Sequence, residues 1–166
     1  MQNKVFIIAD THFNHANIIK YCNRPFKDVK EMEKYIITKW NSVVAPDDTV
    51  YHLGDVGFGS FEELKNLLTK LNGKKILIMG NHDLSRGRNT WLKIGFAEVY
   101  KKELTIGNYV LSHYPKRIED NQINFFGHIH NKPLNDTFNK NNHINVSVEV
   151  VDYTPLEITK ILEEKK

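Results

Sequence analysis

The sequence predicts an α/β protein in which two mixed β-sheets pack as a sandwich with flanking helices. Three observations lead to this fold class. Apolar runs and amphipathic segments alternate in the order βαβαβ in the first half, the part after Trp91 is rich in short strand patterns, and no repeat or linker rich in Pro, Gly or Ser divides the chain. We therefore expect residues 1–166 to form a single domain.

The first half of the chain carries start and stop signals for regular structure. Asp28 with Glu31 is typical of a helix start, and Ser60 with Glu63 has the pattern of a capping box. Short apolar runs that end at polar residues are typical of buried strands. The predicted elements are strands at 5–9, 49–53 and 75–79, a short helix from 15 to about 21, and helices from 28 to about 44 and from 60 to near 73.

The second half is predicted to be mostly β-structure. Gly107-Asn108 separates two short apolar runs, which is typical of a hairpin. Apolar and polar residues alternate over 144–150, as in a half-exposed strand. Residues 154–157, Thr-Pro-Leu-Glu, predict the start of a final helix with proline at its first position. The remaining predicted strands are 96–100, 103–106, 109–113 and 123–126.

The composition excludes several classes of protein. With 40% hydrophobic and 26% charged residues the chain is neither disordered nor of low complexity. No apolar run approaches the roughly 18 residues of a membrane-spanning helix, and the chain reaches Asp10 too early for a signal peptide. The single cysteine, Cys22, allows no internal disulfide. We expect a cytoplasmic protein with no membrane partner, and the net charge of +3 does not by itself indicate nucleic acid.

Eight histidines are many for this length, and five of them fall in short polar motifs that follow predicted strands. Ligands of open α/β sheets bind beyond the carboxyl ends of the strands, so motifs far apart in sequence can converge there. The five motifs are Asp10-Thr11-His12, Gly54-Asp55, Gly80-Asn81-His82-Asp83, Ser112-His113 and Gly127-His128-Ile129-His130.

The donor types in these motifs point to metal chemistry. Aspartate, histidine and asparagine offer oxygen and nitrogen without thiolate, a mixture that suits manganese, iron or zinc. Two divalent ions roughly 3.5–4 Å apart can hold the attacking and leaving oxygens of a phosphoryl group. Such a pair needs a bridging carboxylate, for which Asp55 is the central candidate. Two ions would outweigh the charges of Asp10 and Asp55, and the surplus favours an anionic substrate.

The five motifs resemble those of the calcineurin-like metallophosphoesterases, and the resemblance covers nearly the whole chain. It implies the two-sheet fold of that family and two divalent ions, with manganese expected and iron, zinc or nickel as alternatives. The implied ligands are Asp10, His12, Asp55 and His130 for one ion, and Asp55, Asn81, His113 and His128 for the other.

The resemblance also implies catalytic roles. His82 is not a ligand in the family, and it would protonate the leaving oxygen or stabilise charge on the phosphoryl group. Asp83 would orient His82. A hydroxide bridging the ions would attack phosphorus in line, with no covalent intermediate.

Departures from the family pattern narrow the function. The Asp-Arg-Gly that protein phosphatases carry after Gly-Asp is missing after Asp55, and we expect no segment of this sequence to form the capping domain of the nuclease branch. The chain thus resembles the small uncapped bacterial or phage-type phosphodiesterases, which implies a phosphodiester substrate, a small nucleotide or related ester. The alternatives are a nuclease acting on RNA or DNA ends and a non-catalytic protein-interaction module. The sequence does not specify an oligomeric state.

Three further side chains are candidates for substrate binding. His15 follows the first motif and either reaches the substrate or begins a helix. Arg24 and Arg86 could each bind a phosphate group through two N–H donors. By contrast, His52 lies within a predicted strand and His143 begins one, so we expect a structural role for His52 and a structural role or a place at the rim of the site for His143.

Overall fold

The structure, a computed structural model, describes residues 3–159, and within them nine strands form two β-sheets. The strands are β1 (Val5–Ile8), β2 (Thr49–His52), β3 (Lys74–Ile78), β4 (Glu98–Tyr100), β5 (Leu104–Ile106), β6 (Tyr109–Leu111), β7 (Ile123–Phe126), β8 (His143–Asn145) and β9 (Leu156–Glu157). The first sheet has the order β4-β3-β2-β1-β9 and the second the order β5-β6-β7-β8.

Most neighbouring strands are parallel, and this brings their carboxyl ends together. In the first sheet β1, β2, β3 and β4 are parallel, with Val5 opposite Thr49, and β9 is antiparallel to β1. In the second sheet β5 and β6 form the predicted hairpin, while β6, β7 and β8 are parallel. The polar motifs follow β1, β2, β3, β6 and β7, and therefore lie at the carboxyl ends of parallel strands.

The described helices are α1 (Ala16–Tyr21), α2 (Val29–Val43), α3 (Phe61–Leu68) and α4 (Arg88–Ile94), with a 3₁₀ turn at Leu84–Arg86. The predicted caps are confirmed. The Asp28 carboxylate accepts a hydrogen bond from the backbone N–H of Glu31, and Ser60 and Glu63 make both bonds of the capping box. Within residues 3–159, no helix has the length and apolar character needed to span a bilayer.

Alternation along β1 explains the layers. Phe6 and Ile8 point to one face, where they pack with residues of the helices such as Trp40 and Trp91. Ile7 points to the other face, where it packs with residues of the second sheet such as Phe125. The two cores confirm the predicted fold class, since helices cover one face of the first sheet and the second sheet covers the other.

Three elements differ from the sequence prediction. Helix α4 was not predicted. The strand expected over 144–150 is β8 alone, because the chain turns over 148–153. Residues Leu156–Glu157 form β9 rather than a helix, since pairing with β1, including a 2.8 Å bond from Ile158 N–H to Val5 O, outweighs the local helix signal. The rest of the predicted final helix, 160–166, lies outside the described residues.

Two glycines allow the loops after β2 and β3 to touch. A Cβ on Gly54 would lie 2.6 Å from the Cα of Gly80 and 2.8 Å from His113 Nδ1, and one on Gly80 would lie 2.6 Å from the backbone nitrogen of Asp55. Real Cβ atoms do not approach backbone this closely, so any larger residue would separate the two loops.

Gly80→Ala should therefore destabilise the protein by at least ~2 kcal/mol, because a rigid backbone contact must open. The melting temperature should fall by about 4–8 °C for a chain of this size. Thermal denaturation followed by circular dichroism measures the change. Gly107→Asn is the control, because the hairpin position has open space around it and asparagine tolerates its φ of 55°. Equal melting temperatures for Gly80→Ala and the wild type would contradict the close-approach argument.

Candidate active site

Five motif residues adopt a backbone conformation that is uncommon outside glycine. Asp10, His12, Asp55, His128 and His130 have φ values between 49° and 69°. Such strain persists only where the surrounding structure holds it, and it concentrates at functional sites. Here it turns the chain sharply after β1, β2 and β7, where the side chains of these motifs come together.

Residues 146–148 join the two sheets beside these turns. The Ala9 N–H donates to Val146 O at 2.9 Å, and the Val148 N–H donates to Ala9 O at 3.0 Å. The Ser147 hydroxyl donates to Asp10 Oδ2 at 2.7 Å, and the His128 N–H donates to the same oxygen at 2.8 Å. The end of β1 is thus fixed to the second sheet through backbone and side chain.

A first cluster contains Asp10, His12 and His130, each of which offers a ligand atom within 4.8 Å of the others. Asp10 Oδ1 and His12 Nε2 are buried and have no hydrogen-bond partner within the described chain. Unpaired buried polar atoms cost free energy, and a cation placed among them would remove that cost.

A second cluster contains Asp55, His113 and His128 in the same arrangement. His113 Nδ1 lies 2.8 Å from Leu53 O, a contact that directs Nε2 toward the site. Asn81 joins this cluster, since its Oδ1 lies 3.0 Å from His113 Nε2. All seven side chains predicted to be metal ligands therefore lie in these two clusters.

The Asp55 carboxylate lies between the clusters. Its Oδ2 is 3.6 Å from His12 Nε2 and 3.5 Å from His113 Nε2. Its Oδ1 accepts the backbone N–H of His82 at 3.0 Å, which fixes the carboxylate orientation.

The chemical state of the ligands fits divalent ions. Burial lowers the pKa of His12, His113 and His128, so their imidazoles are neutral and keep a lone pair for a metal. Burial raises the pKa of Asp10 to about 7, and a neighbouring cation would favour its ionised form. Neutral imidazoles with carboxylate and amide oxygens match a site for a transition ion.

His130 contacts Glu149, a residue that the sequence analysis did not select, and Glu149 is in turn paired with Arg24. His130 Nδ1 lies 3.0 Å from Glu149 Oε1, and the same oxygen accepts Arg24 Nε at 2.8 Å. Burial alone would lower the pKa of His130, but hydrogen bonds that the ring makes to Cys22 and to the Glu149 carboxylate, together with the charges of Asp10 and Glu149, raise it to about 10. A carboxylate in this position fixes the ring so that its other nitrogen faces the metal site.

Arg24 has a different role from the predicted one. Its guanidinium is buried, with 0% of the side chain exposed. Besides Glu149, it donates to Asp10 O at 2.7 Å and to Thr11 O at 2.9 Å. Because protein acceptors already occupy this guanidinium, it braces the first motif and does not face a substrate phosphate.

The alternation of apolar and polar residues over 144–150 could have identified Glu149 as a site residue. The polar positions Asn145, Ser147 and Glu149 contact His130 O, Asp10 and His130 Nδ1 respectively. The pattern indicated a solvent-facing side of a strand, whereas that side faces the site.

Asp83 also differs from its predicted role. Its carboxylate accepts the backbone N–H groups of Asp55 at 2.7 Å, Gly80 at 2.7 Å and Val56 at 3.0 Å. Burial raises its pKa to about 7, against the opposing effect of these donors. Asp83 therefore joins the loops after β2 and β3, and its described hydrogen bonds do not include the His82 ring.

His82 is the predicted catalytic residue that faces outward. Its side chain is 45% exposed, and its Nε2 lies 3.9 Å from Asp55 Oδ2. The ring makes an edge contact with His12, with centroids 5.6 Å apart. His82 is thus accessible to a substrate and adjacent to the ligands.

The two other residues predicted to bind substrate, His15 and Arg86, differ in their distance from the ligands. His15 lies near the ligands, with its ring centroid 5.5 Å from that of His12 and 4.6 Å from that of Phe58. Arg86 donates to Gly59 O and lies over the Trp91 ring at 5.8 Å. The described contacts of Arg86 do not include a ligand, so the structure brings His15 to the site but not Arg86.

The two histidines expected to be structural are confirmed as such. The Thr11 hydroxyl donates to Val56 O, so it must accept from His52 Nε2, while His52 Nδ1 accepts the Gly54 N–H. Burial lowers the pKa of His52 to about 3, which keeps this ring neutral. The His143 ring is hydrogen-bonded to loop atoms that include Lys116 O.

Glu149→Gln should weaken Mn²⁺ binding by about 10–100-fold, because a neutral amide orients His130 less firmly and lowers its basicity. Isothermal titration calorimetry of the metal-free protein measures the dissociation constant. Glu98→Gln, which changes an exposed carboxylate paired with Lys74, is the matched control and should bind as the wild type does. Wild-type affinity in Glu149→Gln would show that this contact does not support the metal site.

Comparisons with known proteins agree with this geometry. Residues 3–163 match the family model described as calcineurin-like phosphoesterase. The chain is 40% identical to the uncharacterized protein MJ1445 of Methanocaldococcus jannaschii, over 98% of this chain and 93% of that protein. It is 34% identical to the gene 66 protein of Mycobacterium phage L5 over 49% of this chain and 40% of that protein.

Two solved structures are similar to this chain in fold. The protein of unknown function AQ665 from Aquifex aeolicus superposes with a TM-score of 0.73 at 31% identity, over 98% of this chain and all of that one. The Pseudomonas putida nuclease MPE, at 18% identity, shares the fold with a TM-score of 0.51, over 76% of this chain and 60% of that one. On the match of the family model and the converged ligands, the chain belongs to the calcineurin-like phosphoesterases.

Proposed function

We propose that the protein is a dinuclear metal-dependent phosphodiesterase that hydrolyses a small nucleotide or related phosphate ester. The observation that carries the proposal is the Asp55 carboxylate, whose Oδ2 is about equally far from His12 of one cluster and His113 of the other. In this proposal Asp55 would be a ligand shared by two divalent ions, manganese by preference. The first ion is held with Asp10, His12 and His130, and the second with Asn81, His113 and His128.

The ions, when bound, would supply Lewis-acid activation of the phosphoryl group and of the attacking water. The side chains would supply proton transfer and the charge balance of the site. His82 is exposed beside Asp55 and would donate a proton to the leaving oxygen. Asn81 is a neutral ligand, so the ligand set carries only the two negative charges of Asp10 and Asp55. Two divalent ions exceed those charges, and the site attracts an anionic phosphate.

Two partly exposed side chains next to the ligands could contact the substrate. His15 and Phe58 lie beside His12 at the outer side of the site, where they can contact the group attached to phosphorus. The complete ligand set supports an enzyme over a non-catalytic module. The proposal assigns residues 1–166 to one catalytic domain that acts in the cytoplasm, where the free Cys22 is expected to stay reduced.

Hydrolysis of bis-p-nitrophenyl phosphate with added Mn²⁺ tests this function. The wild type should turn over the ester, and His82→Ala should lose about 10²–10³-fold in kcat because charge on the phosphoryl group loses a stabilising donor. Nitrophenolate leaves without being protonated, so this ester tests that role of His82. Asp55→Asn should fall to the background rate and bind less Mn²⁺, since the carboxylate shared by both clusters is gone.

Asp47→Asn, at an exposed position, is the matched control and should retain wild-type turnover. Equal, trace-level hydrolysis by the wild type, His82→Ala and Asp55→Asn would reject the enzyme. Measurement of bound metal in the same preparations separates the two losses, because His82→Ala should keep its ions.

A further inference from the structure

A cavity of about 150 Å³ opens beside the second ligand cluster. Its lining includes Asn81 and His113, so it adjoins the proposed position of the second ion. Its lining also includes the segment 101–103, which connects the edge strand β4 of the first sheet to β5 of the second. The cavity therefore lies between the sheets at the same end as the metal ligands.

The charge of this cavity is positive. Lys101, Lys102 and Lys116 line it together with one carboxylate, Glu103. Lys116 Nζ lies 3.3 Å from Glu103 Oε2, so these two charges offset each other. Among the described residues, neither Lys101 nor Lys102 has an ion-pair partner, and both are exposed. Two ammonium groups are thus available to an anion beside the metal site.

An apolar surface borders the same cavity. Leu84 and Tyr114 line it and are 56% and 44% exposed, which is high for large apolar side chains. The Tyr114 hydroxyl donates to Asn81 Oδ1 at 3.3 Å, and its ring centroid lies 4.3 Å from that of His128. These contacts hold the Tyr114 ring next to the ligands, where a sugar or base could pack against it.

The size of the cavity limits its occupant. Its volume corresponds to about five water molecules, enough for a phosphate group but well below the ~300 Å³ of pockets that enclose a whole ligand. An anionic group would enter the cavity while the rest of the molecule stayed at its mouth, between Tyr114 and Leu84.

We infer that this cavity binds a second, non-scissile phosphate of the substrate, with Lys101 and Lys102 as its cationic partners and the intervening sugar or base against Tyr114 and Leu84. The inference rests on the proposed function and specifies its substrate class. The substrate is a phosphodiester with another phosphate one nucleoside away, either on a free nucleotide or within a nucleic-acid strand. In this inference Lys101 and Lys102 take the phosphate-binding role that the sequence predicted for Arg24 and Arg86, whose guanidinium groups donate to backbone carbonyl groups of the protein.

Two chromogenic substrates with the same scissile bond test the inference. They are thymidine 5′-(p-nitrophenyl phosphate) and its 3′-phosphorylated form, assayed with Mn²⁺. The wild type should favour the 3′-phosphorylated form about 10-fold or more in kcat/KM, mainly through KM, since an extra charge-assisted contact forms. In the double variant Lys101→Ala/Lys102→Ala the ratio should fall close to one.

Lys34→Ala/Lys70→Ala is the matched control, because it removes two exposed lysines on α2 and beyond α3 and changes the net charge equally. Its substrate ratio should equal that of the wild type. A wild-type ratio near one, or an undiminished ratio in Lys101→Ala/Lys102→Ala, would overturn the inference.

A binding measurement keeps this test separate from the proposed function. Calorimetry with Mn²⁺-loaded protein compares thymidine 3′,5′-bisphosphate with thymidine 5′-monophosphate. If the wild type hydrolyses neither chromogenic ester, the proposed function fails, but tighter binding of the bisphosphate that is lost in Lys101→Ala/Lys102→Ala still supports the subsite. Equal binding of the two nucleotides by the wild type rejects it.

The length of the substrate distinguishes a free nucleotide from a nucleic-acid strand as the source of the second phosphate. In a series of 5′-nitrophenyl oligothymidylates, kcat/KM that stops rising after the second phosphate identifies a free nucleotide. A continued rise with length, together with a steep salt dependence, identifies a nucleic-acid strand. In both cases the first increment must vanish in Lys101→Ala/Lys102→Ala for the inference to stand.

Discussion

Crowded lone pairs are the constraint on which the rest of this structure depends. Two carboxylates, an amide and four imidazoles lie close together, and Asp10, His12, Asp55 and His113 among them are buried. Asp10 Oδ1 and His12 Nε2 have no hydrogen-bond donor in the described chain, and such groups destabilise a fold unless cations lie between them. The left-handed backbone at Asp10, Asp55 and His128 adds strain to the same region. Divalent ions would relieve the electrostatic part of this cost, which links metal binding to the stability of the fold.

The surrounding residues oppose that cost by fixing the strand ends to one another. Asp83 joins the loops after β2 and β3 through three backbone N–H groups, and Gly54 and Gly80 let those loops approach. Glu149 and Arg24 do the same on the other side, where they connect His130 to the carbonyl groups of the first motif. These contacts are between protein groups, so the geometry of the site can form before any ion or substrate binds.

The chemistry on either side of the ligands is unequal. The side that carries His82, His15 and Phe58 is aromatic and holds the exposed imidazole expected to act on the leaving group. The side that carries Lys101 and Lys102 is cationic and leads into a small cavity. A substrate with one phosphate at the ions and another in that cavity would be bound in a single direction, which would also decide the ester oxygen that faces His82.

The sequence alone was sufficient for the strand-end motifs, for the caps at Asp28 and Ser60, and for the two-sheet fold class. The motifs and caps depend on local spacing, which a single chain segment displays in full, and the fold class depends on the order of such segments along the chain. Arg24, Asp83 and the segment Leu156–Glu157 were decided by tertiary structure. The sequence indicates only that Arg24 is a cation, and the fold is needed to show that it is buried beside the Glu149 carboxylate. The position of Asp83 next to His82 suggests that the two side chains interact, whereas in the fold the Asp83 carboxylate accepts three backbone N–H groups. Residues 154–157 carry helical signals, but Leu156 and Glu157 pair with the edge of β1 instead. The paired residues are about 150 positions apart in sequence, so only the folded chain brings them together.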